Sequence, residues 1–205
     1  MRASAAGHPS AGGVSLANSV FVGRNVHISG EVNVGPNVHI EDDVEIRGPA
    51  DIAADVWIGR ETSIGFHGAP AAPAAPVAAE PVRTRIGERT LIGKGCVLEG
   101  GICLGEFSFV RQRAHLYGDL PAHGMAYGDP AVLHNFLCPC GAVFAIKQRS
   151  GNLLTLTCPR CGTELRITAT EMQKNDHILL PGGQVGAQLS LGFMPAFWDF
   201  GANLE

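Results

Sequence analysis

Apolar β-branched residues return every sixth position from Val20 onward. One column reads Val22, Ile28, Val34, Ile40, Ile46, Ile52, Ile58 and Ile64. A second column, two residues earlier, reads Val20, Val26, Val32, Val38, Val44, Ala50, Val56 and Thr62. A helix needs apolar residues every three to four positions, and this spacing does not supply them. In a strand, residues two apart share a face, so each pair points one way. The pairs are separated by turn formers: Arg24-Asn25, Gly30-Glu31, Pro36-Asn37 and Asp42-Asp43. The unit is a very short strand, a corner, and the next short strand. Such units bury their apolar pairs only by stacking, so a fixed repeat of six predicts a parallel β-helix.

The period resumes further on. Ile86, Ile92, Leu98, Leu104, Val110 and Leu116 form the main column, with Thr84, Thr90, Cys96, Ile102, Ser108 and Ala114 as smaller partners. Fourteen hexapeptides are visible, eight before the break and six after it. Three faces per coil give nearly five turns, a prism roughly 22 Å tall at strand spacing. Between the two runs, HGAPAAPAAPVAAEPV (residues 67–82) is read as an inserted loop stiffened by proline. It is either a tolerated insertion or an arm that walls a site on a neighbouring subunit.

If that loop leaves and rejoins one corner, the outward residues sort into three faces. The first carries Phe21, His39, Trp57, Leu91 and Phe109; the second His27, Glu45, Ser63, Val97 and His115; the third Asn33, Asp51, Arg85 and Cys103. The first face is too apolar to leave in water. Either another subunit or the aromatic C-terminal segment (Phe193, Phe197, Trp198, Phe200) is expected to cover it.

Composition narrows the class further. The chain has 205 residues and a net charge of −4, which gives no footprint for nucleic acid. No apolar run reaches membrane-spanning length, so no membrane insertion is expected. The opening MRASAAGHPSAGG lacks the apolar centre of a secretory signal and reads as a flexible tail. Four of the six cysteines form two knuckles, Cys138-Pro-Cys140-Gly and Cys158-Pro-Arg-Cys161-Gly. The segment between them reads as strand, Ser-Gly-Asn turn, strand. Knuckles at one end of a hairpin supply four thiolates to one tetrahedral zinc, a closed structural site. So small a ribbon has almost no core of its own, so the metal is expected to supply its folding energy. Metal and a missing signal favour a reducing, cytoplasmic setting over disulfides.

The columns resemble the left-handed β-helix of hexapeptide-repeat acyltransferases. Glycine follows the main column at Gly23, Gly35, Gly59, Gly65, Gly87, Gly93 and Gly105, as in that family. The segment DLPAHGMAYGDPAVL (Asp119–Leu133) is similar to its exit motif. With the cysteine ribbon behind it, the chain resembles the nucleotide-sugar amine N-acetyltransferases. The resemblance implies acetyl-CoA as cosubstrate, a homotrimer with grooves between prisms, and as acceptor an amino sugar carried on a nucleotide. The chain also departs from the pattern. Arg111-Gln112-Arg113 stands where Gly-Ala-Gly is common, Asp129 replaces an Asn, and Val132 a basic residue. Trimeric β-helix carbonic anhydrases need interface histidines, and the aligned LIGKGCVLEGG (Leu91–Gly101) has none.

The expected domains are a tail (1–19), an all-β left-handed helix (20–119), an exit segment and linker (120–136), a zinc ribbon (137–168) and an extension of unknown structure (169–205). Acyl transfer to an amine needs a neutral nucleophile and a donor for the oxyanion. The candidate bases are His67 at the root of the loop, His115 on a late coil and His39 on the apolar face. His67 ranks first, because such loops border the intersubunit groove in the resembling family. Arg111 and Arg113 are candidates for the CoA phosphates, and the amides of Gly100 and Gly101 for CoA or the oxyanion. Cys138, Cys140, Cys158 and Cys161 are the expected zinc ligands. Cys96 points inward as packing. The alternative function is a non-catalytic β-helix scaffold with a protein-binding ribbon.

Overall fold

The computed structural model describes residues 13–66 and 82–168. The first coil consists of β1 (Val14–Leu16), β2 (Phe21–Val22) and β3 (His27–Ser29). The second is β4 (Val32–Val34), β5 (His39–Ile40) and β6 (Glu45–Arg47), and the third β7 (Ala50–Ile52), β8 (Trp57–Ile58) and β9 (Ser63–Phe66). The fourth is β10 (Thr84–Ile86), β11 (Leu91–Ile92) and β12 (Val97–Glu99), and the fifth β13 (Cys103–Leu104), β14 (Phe109–Val110) and β15 (His115–Leu116). Then come β16 (Gly124–Gly128), β17 (Ala131–Phe136), β18 (Ala145–Ser150), β19 (Leu153–Thr157) and β20 (Glu164–Thr168). Among the described residues there is no helix.

Every third strand stacks in parallel. The three faces are β1-β4-β7-β10-β13, β2-β5-β8-β11-β14 and β3-β6-β9-β12-β15. These faces carry the residues that the hexads assigned to them: Phe21 sits over His39 and Trp57, His27 over Glu45, and Asn33 over Asp51. The chain leaves the third coil at Phe66 and re-enters at Thr84 on the next face, so the insertion sits at a corner. One difference appears at the start. Val14 and Leu16 lie one hexad before Val20 and Val22, within the segment expected to be tail, and pair with Val32 and Val34. Strand β1 thus completes a fifth coil.

The columns fill the prism. Ile40, Ile46, Ile58, Ile92 and Leu98 are completely buried. The small polar partners satisfy themselves inside it: the Thr62 and Thr90 hydroxyls donate to the carbonyls of Gly93 and Gly105. Cys96 packs there, its thiol pushed up to about 11 by burial. The corners need one residue in the left-handed region, often Asn or Asp, as at Asn25, Asn37, Asp43 and Asp55. Asn25 and Asn37 each donate to the Asp one coil above, at 3.0 Å. The glycine column has a steric cause. A Cβ on Gly105 would stand 2.3 Å from the Ala122 nitrogen, and one on Gly87 2.5 Å from that of Glu106.

The two ends of the prism differ. Val14, Leu16 and Val22 of the first coil are more than two-fifths exposed. At the other end β16 adds a parallel strand to β14 and β17 folds back antiparallel on it. The exit segment is therefore a hairpin cap. The ribbon has three strands, β18-β19-β20, where the knuckle spacing alone predicted two. It is also not coreless: Phe144, Leu154, Leu156 and Ile167 are buried in one cluster continuous with the prism interior. The ribbon borrows the prism's core, which a reading of residues 137–168 in isolation could not include.

Candidate functional site

The last two coils gather most of the candidate chemistry. His115 leaves β15 outward, and Glu99 closes β12 one coil below. The His115 Nε2 and Glu99 Oε1 atoms are 2.8 Å apart, with side chains only 18% and 17% exposed. Tyr117 reaches back two residues, its hydroxyl 2.9 Å from His115 Nδ1 and its ring stacked on the imidazole at 4.0 Å. Asp129 Oδ1 lies 3.5 Å from the same nitrogen. With Nε2–H donating to the carboxylate, Nδ1 is left as an acceptor facing the tyrosine hydroxyl. Burial and the two carboxylates raise the Tyr117 pKa, so the phenol stays protonated as that donor. An imidazole oriented by a carboxylate is an arrangement suited to general-base activation of a nucleophile. Glu99 and Tyr117 were not singled out from sequence. The signal was present: each lies two positions past the residue at the same level of one face, Val97 and His115.

Arg111 and Arg113 lie on the corner leading into β15, four and two residues before His115. The Arg111 guanidinium stands 5.2 Å from the centre of the Tyr127 ring, which stacks on His134 at 3.3 Å. Neither arginine forms an ion pair among the described residues. Two cations on the same coil as the half-buried His115 suit an anionic ligand.

Gly100 and Gly101 directly follow Glu99, but their amides are occupied. Gly100 N–H donates to the Phe66 carbonyl at 2.8 Å, and Gly101 N–H to the Thr84 hydroxyl at 2.9 Å. These bonds close the corner at which the chain re-enters the helix, so neither amide is free for CoA or an oxyanion. His39 is held between Phe21 at 4.2 Å and Trp57 at 3.7 Å. Burial lowers its pKa and keeps it a neutral packing ring. His67 and the aromatic C-terminal residues lie outside the described residues.

The four cysteines of the ribbon converge. Cys138 and Cys161 sulfurs are 3.5 Å apart and Cys140 and Cys158 sulfurs 3.4 Å, with all four within 4.8 Å of one another. A tetrahedral metal with bonds of about 2.3 Å would space its sulfurs at about 3.8 Å, so this cluster fits one with little movement. The single-residue spacing of the first knuckle is no obstacle. Gly141 and Gly162, both with positive φ, turn the chain after each knuckle and donate their amides to the Cys138 and Cys158 carbonyls. All six cysteines are free thiols.

No protein-family model matches the chain, and no curated protein is significantly similar in sequence. Solved structures are similar in fold. A hexapeptide-repeat acetyltransferase from Vibrio cholerae, in complex with acetyl-CoA, is 20% identical over 61% of this chain and 71% of its own, with a TM-score of 0.51. A galactoside acetyltransferase in complex with coenzyme A is 19% identical over 60% of this chain and 64% of its own, with a TM-score of 0.50. A mutant perosamine N-acetyltransferase from Caulobacter crescentus, in complex with CoA and GDP-perosamine, overlaps less well: 17% identity, 58% and 52% coverage, TM-score 0.40. The chain spans about half the length of that last enzyme. The first two likenesses establish the fold as the left-handed β-helix of hexapeptide-repeat acetyltransferases. Among the described residues no helix is long and apolar enough to cross a membrane.

Proposed function

We propose that the chain is an acyl-CoA-dependent acyltransferase that acetylates an amino sugar carried on a nucleotide. The observation that carries this reading is His115, oriented by Glu99 and backed by Tyr117, on the coil that also carries Arg111 and Arg113. The acceptor amine, neutral when it attacks, forms the new C–N bond at the thioester carbonyl and passes its proton to His115 Nδ1 as the Tyr117 hydroxyl turns aside. Glu99 stabilises the imidazolium, and the CoA thiolate leaves. Arg111 and Arg113 supply positive charge for the CoA phosphates. Coenzyme A or acetyl-CoA in the two neighbours that share the fold supports the donor. The amino-sugar acceptor and the homotrimer rest on the sequence resemblance, and the cytoplasmic setting on the metal-type spacing of the cysteines. His67, on the inserted loop, is a second group for the acceptor. Zinc is the metal that four thiolates in a closed tetrahedral site suit best, and here it serves the ribbon's structure.

Calorimetric titration of the zinc-loaded protein with acetyl-CoA tests the donor without knowledge of the acceptor. Micromolar binding is expected, weakened by roughly tenfold or more in the Arg111→Ala, Arg113→Ala double variant. Screening nucleotide-linked amino sugars by thiol release should then find turnover that His115→Asn lowers by roughly 10²–10⁴-fold while donor binding survives. No heat with acetyl-CoA or longer acyl-CoAs would sink the transferase reading in favour of a scaffold.

A further inference from the structure

A groove of about 870 Å³ runs along the face formed by β1, β4, β7, β10 and β13, away from His115. Its length spans all five coils, from Ser15 to Leu120, which at strand spacing is on the order of 24 Å. Its floor is the column of small residues at the next corner, Gly35, Ala53, Gly87, Gly105 and Ala122. Close stacking of the coils forbids larger side chains at Gly87 and Gly105, so the gutter follows from the fold itself. The opposite wall is the ribbon, whose β20 contributes Leu165, Arg166 and Ile167.

The charges in the groove are unevenly committed. Asp51 is paired with Arg83 and accepts from Asn33, and Asp119 accepts from the Cys103 backbone N–H. Arg85 projects from β10 in register with Asp51, and Arg166 from β20 near Glu164, whose carboxyl it helps Lys147 hold low. Both are exposed, and neither has an ion pair among the described residues. An elongated, largely apolar gutter with two exposed guanidinium groups outside any ion pair suits an extended hydrocarbon chain ending in an anion. Its volume falls in the range of small-molecule sites.

We propose that this groove binds a free long-chain fatty acid. The methylene chain lies over the small-residue floor, against Leu165 and Ile167, and the carboxylate is held by Arg85 and Arg166. A guanidinium fork matches a carboxylate through paired N–H donors. The site is separate from His115, so it stands whether or not the chain transfers acyl groups.

The test uses the full zinc-loaded chain and dansyl-undecanoic acid, whose fluorescence rises on entering an apolar site. Enhancement is expected, reversed by palmitate at concentrations roughly tenfold or more below those of its neutral methyl ester. The Arg85→Glu, Arg166→Glu double variant should weaken probe binding roughly tenfold or more. Ala122→Trp, which adds bulk to the gutter floor and leaves both arginines in the sequence, should abolish it. Far-UV circular dichroism and metal content check that each variant is folded. No enhancement overturns the proposal and leaves the groove to another occupant, such as the chain beyond Thr168. Equal competition by acid and ester, or enhancement unchanged in both variants, overturns it as well.

Discussion

Ile58→Ala and Val22→Ala remove side chains from the same hexad column at different heights in the prism. Ile58 lies in the third coil with coils above and below and is 0% exposed. Val22 lies in the first coil and is 41% exposed, with nothing described beneath it. Removing three buried carbons costs about 2.4 kcal/mol at about 0.8 per carbon. The enclosed cavity left in the column raises this to about 3–4 kcal/mol. Val22→Ala removes two carbons that already face water in part and leaves no closed cavity, so about 1 kcal/mol is expected. For a chain of this size each kcal/mol lowers Tm by about 2–4 °C, giving roughly 10 °C for Ile58→Ala and roughly 3 °C for Val22→Ala. Thermal unfolding followed by far-UV circular dichroism at low protein concentration reads both. Comparable losses would refute the reasoning, because they would mean that the first coil is covered in solution.

Two further outcomes follow from the ribbon and three half-buried histidines. The purified protein should carry one zinc per chain by elemental analysis, and Cys138→Ser should lose it. Chelation should open the knuckles and expose four thiols to a thiol reagent, yet leave the prism's circular dichroism intact, because the ribbon strands also pack on the prism core; collapse of the whole β signal would contradict that shared core. Burial lowers the pKa of His39, His123 and His134. On acidification the unfolded chain takes up these protons near the ordinary value of 6.5, and the folded chain only at lower pH. Tm should therefore be level above about pH 7, decline as pH falls through 6.5, and decline less steeply in His39→Phe; a Tm independent of pH down to about 5 would contradict this.

Much of the protein is legible in its sequence. The six-residue period specifies short strands and corners locally, because the pleat repeats every two residues and Asn, Asp and Gly accept the corner conformation. Stacking identical units leaves one register, so the three faces and their outward residues followed from arithmetic. The cysteine knuckles were legible for a similar reason: a turn of a few residues sets where each pair of sulfurs points. Val14 and Leu16 obeyed the same period and were missed only because a single hexad beside a polar stretch resembles a tail.

What the tertiary structure alone decided lies between coils and between parts. Glu99 and His115 are sixteen positions apart and meet because one ends a strand and the other begins the strand above it. That contact depends on rotamers that no period encodes. The amides of Gly100 and Gly101 could be judged only once Phe66 and Thr84 were seen to close on them across the insertion. The third ribbon strand, its seat on the prism core and the groove beneath it arise where two units with different repeats pack together. A hexad pattern describes how a coil stacks on a coil, and it carries no information about what a coil's outer face will meet.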